Sequence, residues 1–248
     1  MARKPIDPHW QTLLDELLKE KLAGRLTGPH VTPPGWSVDT VGVDGHPTQP
    51  LPTSEVLAAV CFSVVQSDKV RRCEDFRRSF HNSTLQAEDV PTHHSVDSYV
   101  HLCRHFGNGG VVAELWTHDL DSAYRQFPIK DRSVGYSVLF TPAGPTLWCH
   151  SALCFGVSAS VWAFNRCADM IQFVARKLLL APVHHFVDDF GAAEPSDLAM
   201  SGFSSFQSLF GAIGMQMKEK KASAPQLKQK LLGELHHHQR SAYSPSLP

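Results

Sequence analysis

The chain has 248 residues, 42% of them apolar and 19% charged, and a formal net charge of −1. That is enough for one large domain or two small ones with a buried core. No apolar run reaches membrane-spanning length, and the basic start Met1-Ala2-Arg3-Lys4-Pro5 lacks the apolar centre of a secretion signal, so an intracellular protein without a membrane partner is expected. The near-neutral balance argues mildly against a nucleic-acid binder. Positive charge is nevertheless concentrated at Lys69-Val70-Arg71-Arg72, at Arg77-Arg78 and from Lys218 to Lys221, and local field matters more than the sum. The six cysteines form no CxxC pair and read as reduced core thiols.

Asp7-Pro8 opens a helix whose stripe is Leu13, Leu14, Leu17, Leu18 and Leu22, stopped by Gly24. Residues 27–52, rich in Pro and Gly, read as an extended linker. The apolar run 56–65 predicts a strand, with a turn at Gln66-Ser67-Asp68 into a basic strand over 69–76. A helix is expected over 92–106, ended by Gly107-Asn108-Gly109-Gly110, then a strand over 111–120 and a short helical turn over 122–127. Pro142-Ala143-Gly144-Pro145 joins two strands, 135–140 and 146–152, as a hairpin. The strongest helix is 158–180, with Val161, Phe164, Ala168, Ile171, Val174, Ala175 and Leu178 on one face. A further helix over 197–213 and a short strand over 231–235 follow, and the chain from Ser241 is tail-like. There is no internal repeat. Strands and helices in this order close most naturally as a mixed sheet backed by helices, an α+β architecture.

The chemistry-bearing feature is Val187-Asp188-Asp189, between apolar residues that suggest a strand, a tight turn and a returning strand. Adjacent carboxylates repel and resist burial, and so call for a cation. Hard oxygen ligands favour Mg²⁺ or Mn²⁺. A second acidic cluster, Asp119-Leu120-Asp121, ends an upstream strand; two such clusters on neighbouring strands suit two metals and in-line phosphoryl transfer.

Taken together, these segments resemble the reverse transcriptase family in its fingers and palm, over about residues 60–235, closest in flavour to retrotransposon enzymes of the retroviral and DIRS-type groups. Phe186-Val187-Asp188-Asp189 looks like the family's aromatic-x-Asp-Asp hairpin, and His118-Asp119-Leu120-Asp121-Ser122-Ala123-Tyr124 looks like its first metal motif. The resemblance implies Asp119 and Asp188 as main ligands of two Mg²⁺ ions (Mn²⁺ also suits), Asp189 as a secondary ligand and Leu120 as a carbonyl ligand. Asp121 matches no acid of the motif and reads as a surface residue at least as readily. Tyr124 would be the steric gate against a 2′-hydroxyl; a core tyrosine is the plainer reading. Lys69 to Arg77 resembles the fingers motif, which implies Lys69 and Arg71 as triphosphate ligands, Arg71 being the better match; an exposed basic strand edge would look the same. Leu153 to Phe164 resembles the motif before the long palm helix, with Phe155 and Gly156 in place to meet the nucleotide, while Cys154 and Val161 depart from it. Lys220 and Lys221 both fit the lysine near the pyrophosphate, and a solvated charge run fits equally well. Leu231-Leu232-Gly233-Glu234 looks like the primer-grip hairpin. His101 with His105, and His236-His237-His238, receive no function.

The resemblance divides the chain into an N-terminal helix and linker (1–53), a fingers-like region (54–115), a palm (116–235) and a disordered tail (236–248). It leaves no room for a thumb, and residues 1–53 match no motif of the family. A fragment, a degenerate copy or a domain cut from a polyprotein is therefore expected. The implied activity is template-directed addition of deoxynucleotides to a primer 3′-end, with an RNA or DNA template, primer and dNTP as partners and the oligomeric state open. Two other readings stay open: an inactive remnant that at most binds nucleic acid, and a two-metal nuclease or phosphohydrolase using the same acids, for which His118, His184 and His185 are available nearby.

Overall fold

A computed structural model describes residues 6–66, 69–85, 91–231 and 234–237. In chain order the elements are α1 (Trp10–Leu22), β1 (Leu26–His30), β2 (Ala58–Gln66), β3 (Lys69–Glu74), α2 (Val96–Asn108), β4 (Ala113–Asp119), β5 (Tyr136–Thr141), β6 (Gly144–His150), α3 (Ser158–Val174), β7 (His184–Phe186), β8 (Asp189–Pro195), α4 (Ala199–Ala212), β9 (Ser223–Gln226), β10 (Lys228–Leu231) and β11 (Glu234–His237). The architecture is α+β, with sheets backed by helices, as expected. The chain divides into two compact units that interleave in sequence, residues 1–88 with 124–161 and residues 89–123 with 162–248. The fingers and palm limits expected from the sequence were instead consecutive.

The first unit is built on a five-stranded mixed sheet of order β1-β6-β5-β2-β3, in which β2 runs parallel to β5 and every other pair is antiparallel. Helix α1 lays Leu13 and Leu17 against Leu26, Cys61, Leu139 and Trp148, with Leu14 and Leu18 beside them. Leu22, the last of the expected stripe, is 85% exposed. Asp7 is not the helix cap, a position held by His9; it closes the turn before the helix by accepting a hydrogen bond from the His9 backbone N–H at 2.8 Å and ties that turn to β2 by accepting from Ser63 N–H at 2.7 Å. Burial would raise the Asp7 carboxyl; the N–H groups of Ser63 and His9 outweigh it and hold the group below its ordinary value.

Residues 27–52 differ from the expected linker. Their first residues belong to β1, and the remainder is held by side-chain and backbone hydrogen bonds rather than by apolar periodicity. Thr40 donates to the His30 carbonyl at 2.6 Å, Thr32 Oγ1 accepts from Thr40 N–H, and Val31 and Gln49 donate backbone bonds to Gln49 and Pro29 respectively. Buried charge sits on the same sheet. Arg125 is 3% exposed and donates to Glu20 Oε2 and to the carbonyls of Arg25, Ala152 and Leu153. It thereby fixes α1, β1 and the chain after β6 through one guanidinium.

The second unit carries a four-stranded antiparallel sheet of order β7-β8-β4-β9 and, beside it in the chain, the hairpin β10–β11. Alternation along β4 decides what each face meets. Leu115 packs with Tyr99 of α2 and Ala193. Trp116 and His118 point to the other face, against Phe203 and Phe206 of α4. On that face Trp116 Nε1–H donates to Glu194 Oε2 at 2.6 Å, and a Cβ on Gly202 would run into the same oxygen, so the helix needs glycine there. Burial pushes the Glu194 carboxyl up, against the indole hydrogen bond. Helix α3 continues through a π-helical turn over Ala175–Leu179, close to the expected end at 180. The strand expected over 231–235 is a hairpin, with Leu231 paired to Glu234; residues 232–233 and 238–248, and with them most of the expected tail, lie outside the described residues, as do Ser67 and Asp68 of the expected turn. All six cysteines are free thiols. Among the described residues no helix is long and apolar enough to cross a membrane.

The Asp7 bonds yield a first prediction. Replacing Asp7 by Ala should cost about 1–2 kcal/mol at pH 7. Because the folded carboxyl is held low, the deficit should shrink as the pH falls below about 4; urea unfolding of both proteins from pH 7 to pH 3 measures it.

Candidate active site

The register of β4 against β8 pairs Trp116 with Ala192, His118 with Phe190 and Asp119 with Asp189. Directly opposed residues share a sheet face, with Cβ atoms about 4.5–5.5 Å apart. Asp119 and Asp189 therefore lie side by side at the end of the ladder. Asp188 stands next to them in the β7–β8 turn, whose closing pair is Phe186 and Asp189. The turn has two residues, and its first, Val187, has φ of 54°. A β-branched residue is rarely found there, and the conformation costs on the order of 1–3 kcal/mol.

The three carboxylates act on one another. Burial raises the Asp188 carboxyl, and Asp119 adds to the shift. Burial, then Asp188, then Asp119 push Asp189 up to about 6. Residues 216–218 zip against this corner, with Lys218 N–H donating to the Asp119 carbonyl at 2.8 Å and Asp121 N–H to the Gln216 carbonyl at 3.0 Å. The bridge formed between Leu120 and Met217 leaves the Leu120 carbonyl out of this pairing. The same zipper delivers Lys221, whose Nζ lies 2.5 Å from Asp119 Oδ2. That hydrogen bond raises the Lys221 ammonium, with the charge of Asp119 and of Asp189 and Asp188 behind it. Of the two lysines that fit the sequence, it is Lys221 that reaches an acid.

Two facing carboxylates with a third beside them match a hard divalent cation in charge and in ligand type. Among the described residues, no group of three or more His, Cys, Asp or Glu side chains stands close enough together to hold a metal ion. The ammonium of Lys221 supplies the positive charge that Asp119 meets.

The remaining residues singled out in the sequence belong to the first unit. Lys69 and Arg71 alternate with inward-facing Val70 and Arg72 on β3, so both are exposed on one face of the edge strand. Arg72 turns in to pair with buried Glu74 at 2.8 Å. Tyr124 is buried, 9% exposed, with its ring 5.2 Å from that of Phe155, which is 47% exposed. Gly156 has φ of 87°, which side-chain-bearing residues rarely adopt, so the backbone conformation already accounts for this glycine; a Cβ there would meet the Glu74 carbonyl and Phe76 only at ordinary contact distance. Asn82, unremarked in the sequence, accepts from Ser158 N–H at the start of α3 and donates to the Gly156 carbonyl. Sequence reasoning passed over Asp169, which is joined at 2.9 Å to His185 beneath the acid turn.

No protein-family model matches the chain, and no curated protein does. Solved structures do. A foamy viral protease–reverse transcriptase in complex with double-stranded DNA matches with a TM-score of 0.62 at 17% identity, over 94% of this chain and 34% of that one. A prototype foamy virus protease–reverse transcriptase mutant matches with a TM-score of 0.64 at 18% identity, over 94% of this chain and 27% of that one. The fold is thus reverse-transcriptase-like, of the palm type, and the chain spans between a quarter and about a third of the length of these neighbours.

The raised carboxyls yield a second prediction. Asp189 folds with a carboxyl near 6, against an ordinary 3.8, so its ionised form opposes folding. In EDTA at pH 7.5, Asp189→Asn should be more stable than the parent. The advantage should decline as the pH falls from about 6 and vanish below 3.8, as read by chemical unfolding.

Proposed function

We propose that this chain is the fingers and palm of a reverse transcriptase and adds deoxynucleotides to a primer 3′-end on an RNA or DNA template. The observation that carries the reading is the opposition of Asp119 and Asp189, with Asp188 adjoining, at a strand end of a reverse-transcriptase-like fold. On this reading the second unit, with the acids, supplies the palm, and the first, with β3, supplies the fingers. Asp119 and Asp188 hold two Mg²⁺ ions, with Asp189 and the Leu120 carbonyl as lesser ligands. When bound, such ions lower the pKa of the attacking 3′-hydroxyl and neutralise charge on the leaving pyrophosphate. Arg71 and Lys69 hold phosphate oxygens, the first through its planar fork and the second as a point charge. Lys221, at home beside the acids, gives a proton to the leaving group. Tyr124 and Phe155 form the floor on which the sugar rests, and Gly156 keeps the backbone close to it. Contacts to template and primer are mainly to the backbone and weaken with salt.

The test is extension of a labelled primer on RNA and on DNA templates with dNTP and Mg²⁺. The parent should extend. Asp188→Asn should lose at least about a hundredfold in rate, the order of effect when a transition-state stabiliser is removed. Cleavage of the duplex without incorporation would instead select a two-metal nuclease. Tyr124→Ala should incorporate ribonucleotides more readily than the parent, read as the ratio of kcat/KM for rNTP and dNTP; an unchanged ratio removes the gate.

A second reading, a fold retained without chemistry, is favoured by the ion pair between Lys221 and Asp119 and by acids that, among the described residues, stand too loosely to cage an ion. Binding of primer–template without extension under all metal conditions would select it.

A further inference from the structure

The acid turn is braced from behind by a residue that the proposed chemistry does not use. His185 pairs with Phe190 across the hairpin, so its side chain lies on the sheet face opposite Asp189. It is fully buried, 0% exposed, and its ring stacks on Phe190 with centroids 5.4 Å apart. Both ring nitrogens face acceptors. Nε2 lies 2.9 Å from Asp169 Oδ1 on α3, and Nδ1 lies 3.3 Å from the carbonyl oxygen of Val187. A carbonyl and a carboxylate only accept, so a ring nitrogen meets either of them as an N–H donor.

The Val187 carbonyl belongs to the peptide that links the strained residue to Asp188. The N–H of that same peptide is Asp188's own, so the orientation of the plane sets where the Asp188 side chain leaves the turn. The peptide plane before Asp188 is therefore held by His185 at its oxygen. Rotating it, which changes ψ at Val187 and φ at Asp188, would give up the His185 contact. The neighbouring anchors do not reach this plane. Arg176 Nε–H donates to the Val183 carbonyl at 2.8 Å, Gln172 Nε2–H donates to the same carbonyl, and Tyr99 O–H donates to the His184 carbonyl. These hold the base of β7, whereas His185 holds its tip.

We infer that His185, anchored by Asp169, is a positioning residue that fixes the Val187–Asp188 peptide and so aims the Asp188 carboxylate toward a divalent cation. The inference rests on the two-metal reading above. Substitutions behind a ligand typically cost about 10–100-fold in metal affinity, and the same order is expected here.

The test uses three variants that separate the two ring nitrogens. His185→Asn keeps an N–H donor near the Nδ1 position, His185→Gln keeps one near Nε2, and His185→Phe keeps neither. Mn²⁺ binding to the whole chain, followed by electron paramagnetic resonance without nucleic acid, is the first readout. The kcat and KM for dNTP in primer extension are the second, and thermal unfolding checks that each variant folds. Asn should bind Mn²⁺ within a few fold of the parent, while Gln and Phe should lose about tenfold or more, with the loss in extension falling on kcat rather than KM. Equal losses in all three, or none in any, would overturn the inference. Should the Phe variant not fold, the Asn and Gln pair decides alone. A parent that extends primers with all variants unaffected sinks the positioning role only. A parent that binds Mn²⁺ with the expected ordering but never extends sinks the polymerase reading only. A parent that binds no Mn²⁺ sinks both.

Discussion

Everything at the candidate site depends on the register between β4 and β8. Alternation along a strand has a period of two, so a slip of one residue would carry Asp119 to the opposite face of the sheet. The register is held from both faces. Trp116, His118 and Phe190 are gripped by the phenylalanines of α4, and Leu115 and Ala193 by Tyr99 of α2. Large aromatic side chains on one face and small, tightly packed ones on the other make a shifted pairing costly. The acids face each other because apolar residues several positions away permit no other arrangement.

The price of that arrangement is concentrated negative charge next to a strained residue. The structure offsets it locally rather than by overall balance. Lys221 meets Asp119, and the His185–Asp169 pair stands behind the turn. The first unit handles buried charge in the same way, with Glu20 between Arg125 and Arg25, and Glu74 against Arg72. A net charge of −1 conceals both solutions, which is why the overall balance said so little about partners.

Much of this was legible in the sequence. The helices α1 to α4, the β5–β6 hairpin and the acid turn each carry a period, a stop signal or a turn dipeptide confined to a few residues. The meeting of Asp119 with the turn was legible only through family resemblance, because strand pairing is not a local property. Residues 27–52 were not legible, since threonine hydroxyls and backbone bonds leave no periodic trace. Arg125 sits in a short polar turn that reads as exposed, yet its guanidinium is among the most buried groups in the chain. Lys221 could not be told from Lys220 until the path of residues 216–218 along Asp119 was known. The partnership of His185 with Asp169 was not legible, because a histidine beside the acids gives no sign of which residue on a distant helix it meets.

The contact between Trp116 and Glu194 has a practical side. Its indole N–H points straight at a buried carboxyl whose proton affinity is raised. Indole emission responds to the charge state of a group at that distance. Trp116 lies on the strand that ends in Asp119, so it is a built-in optical reporter for the condition of the sheet that carries the acids, one that needs neither label nor added dye.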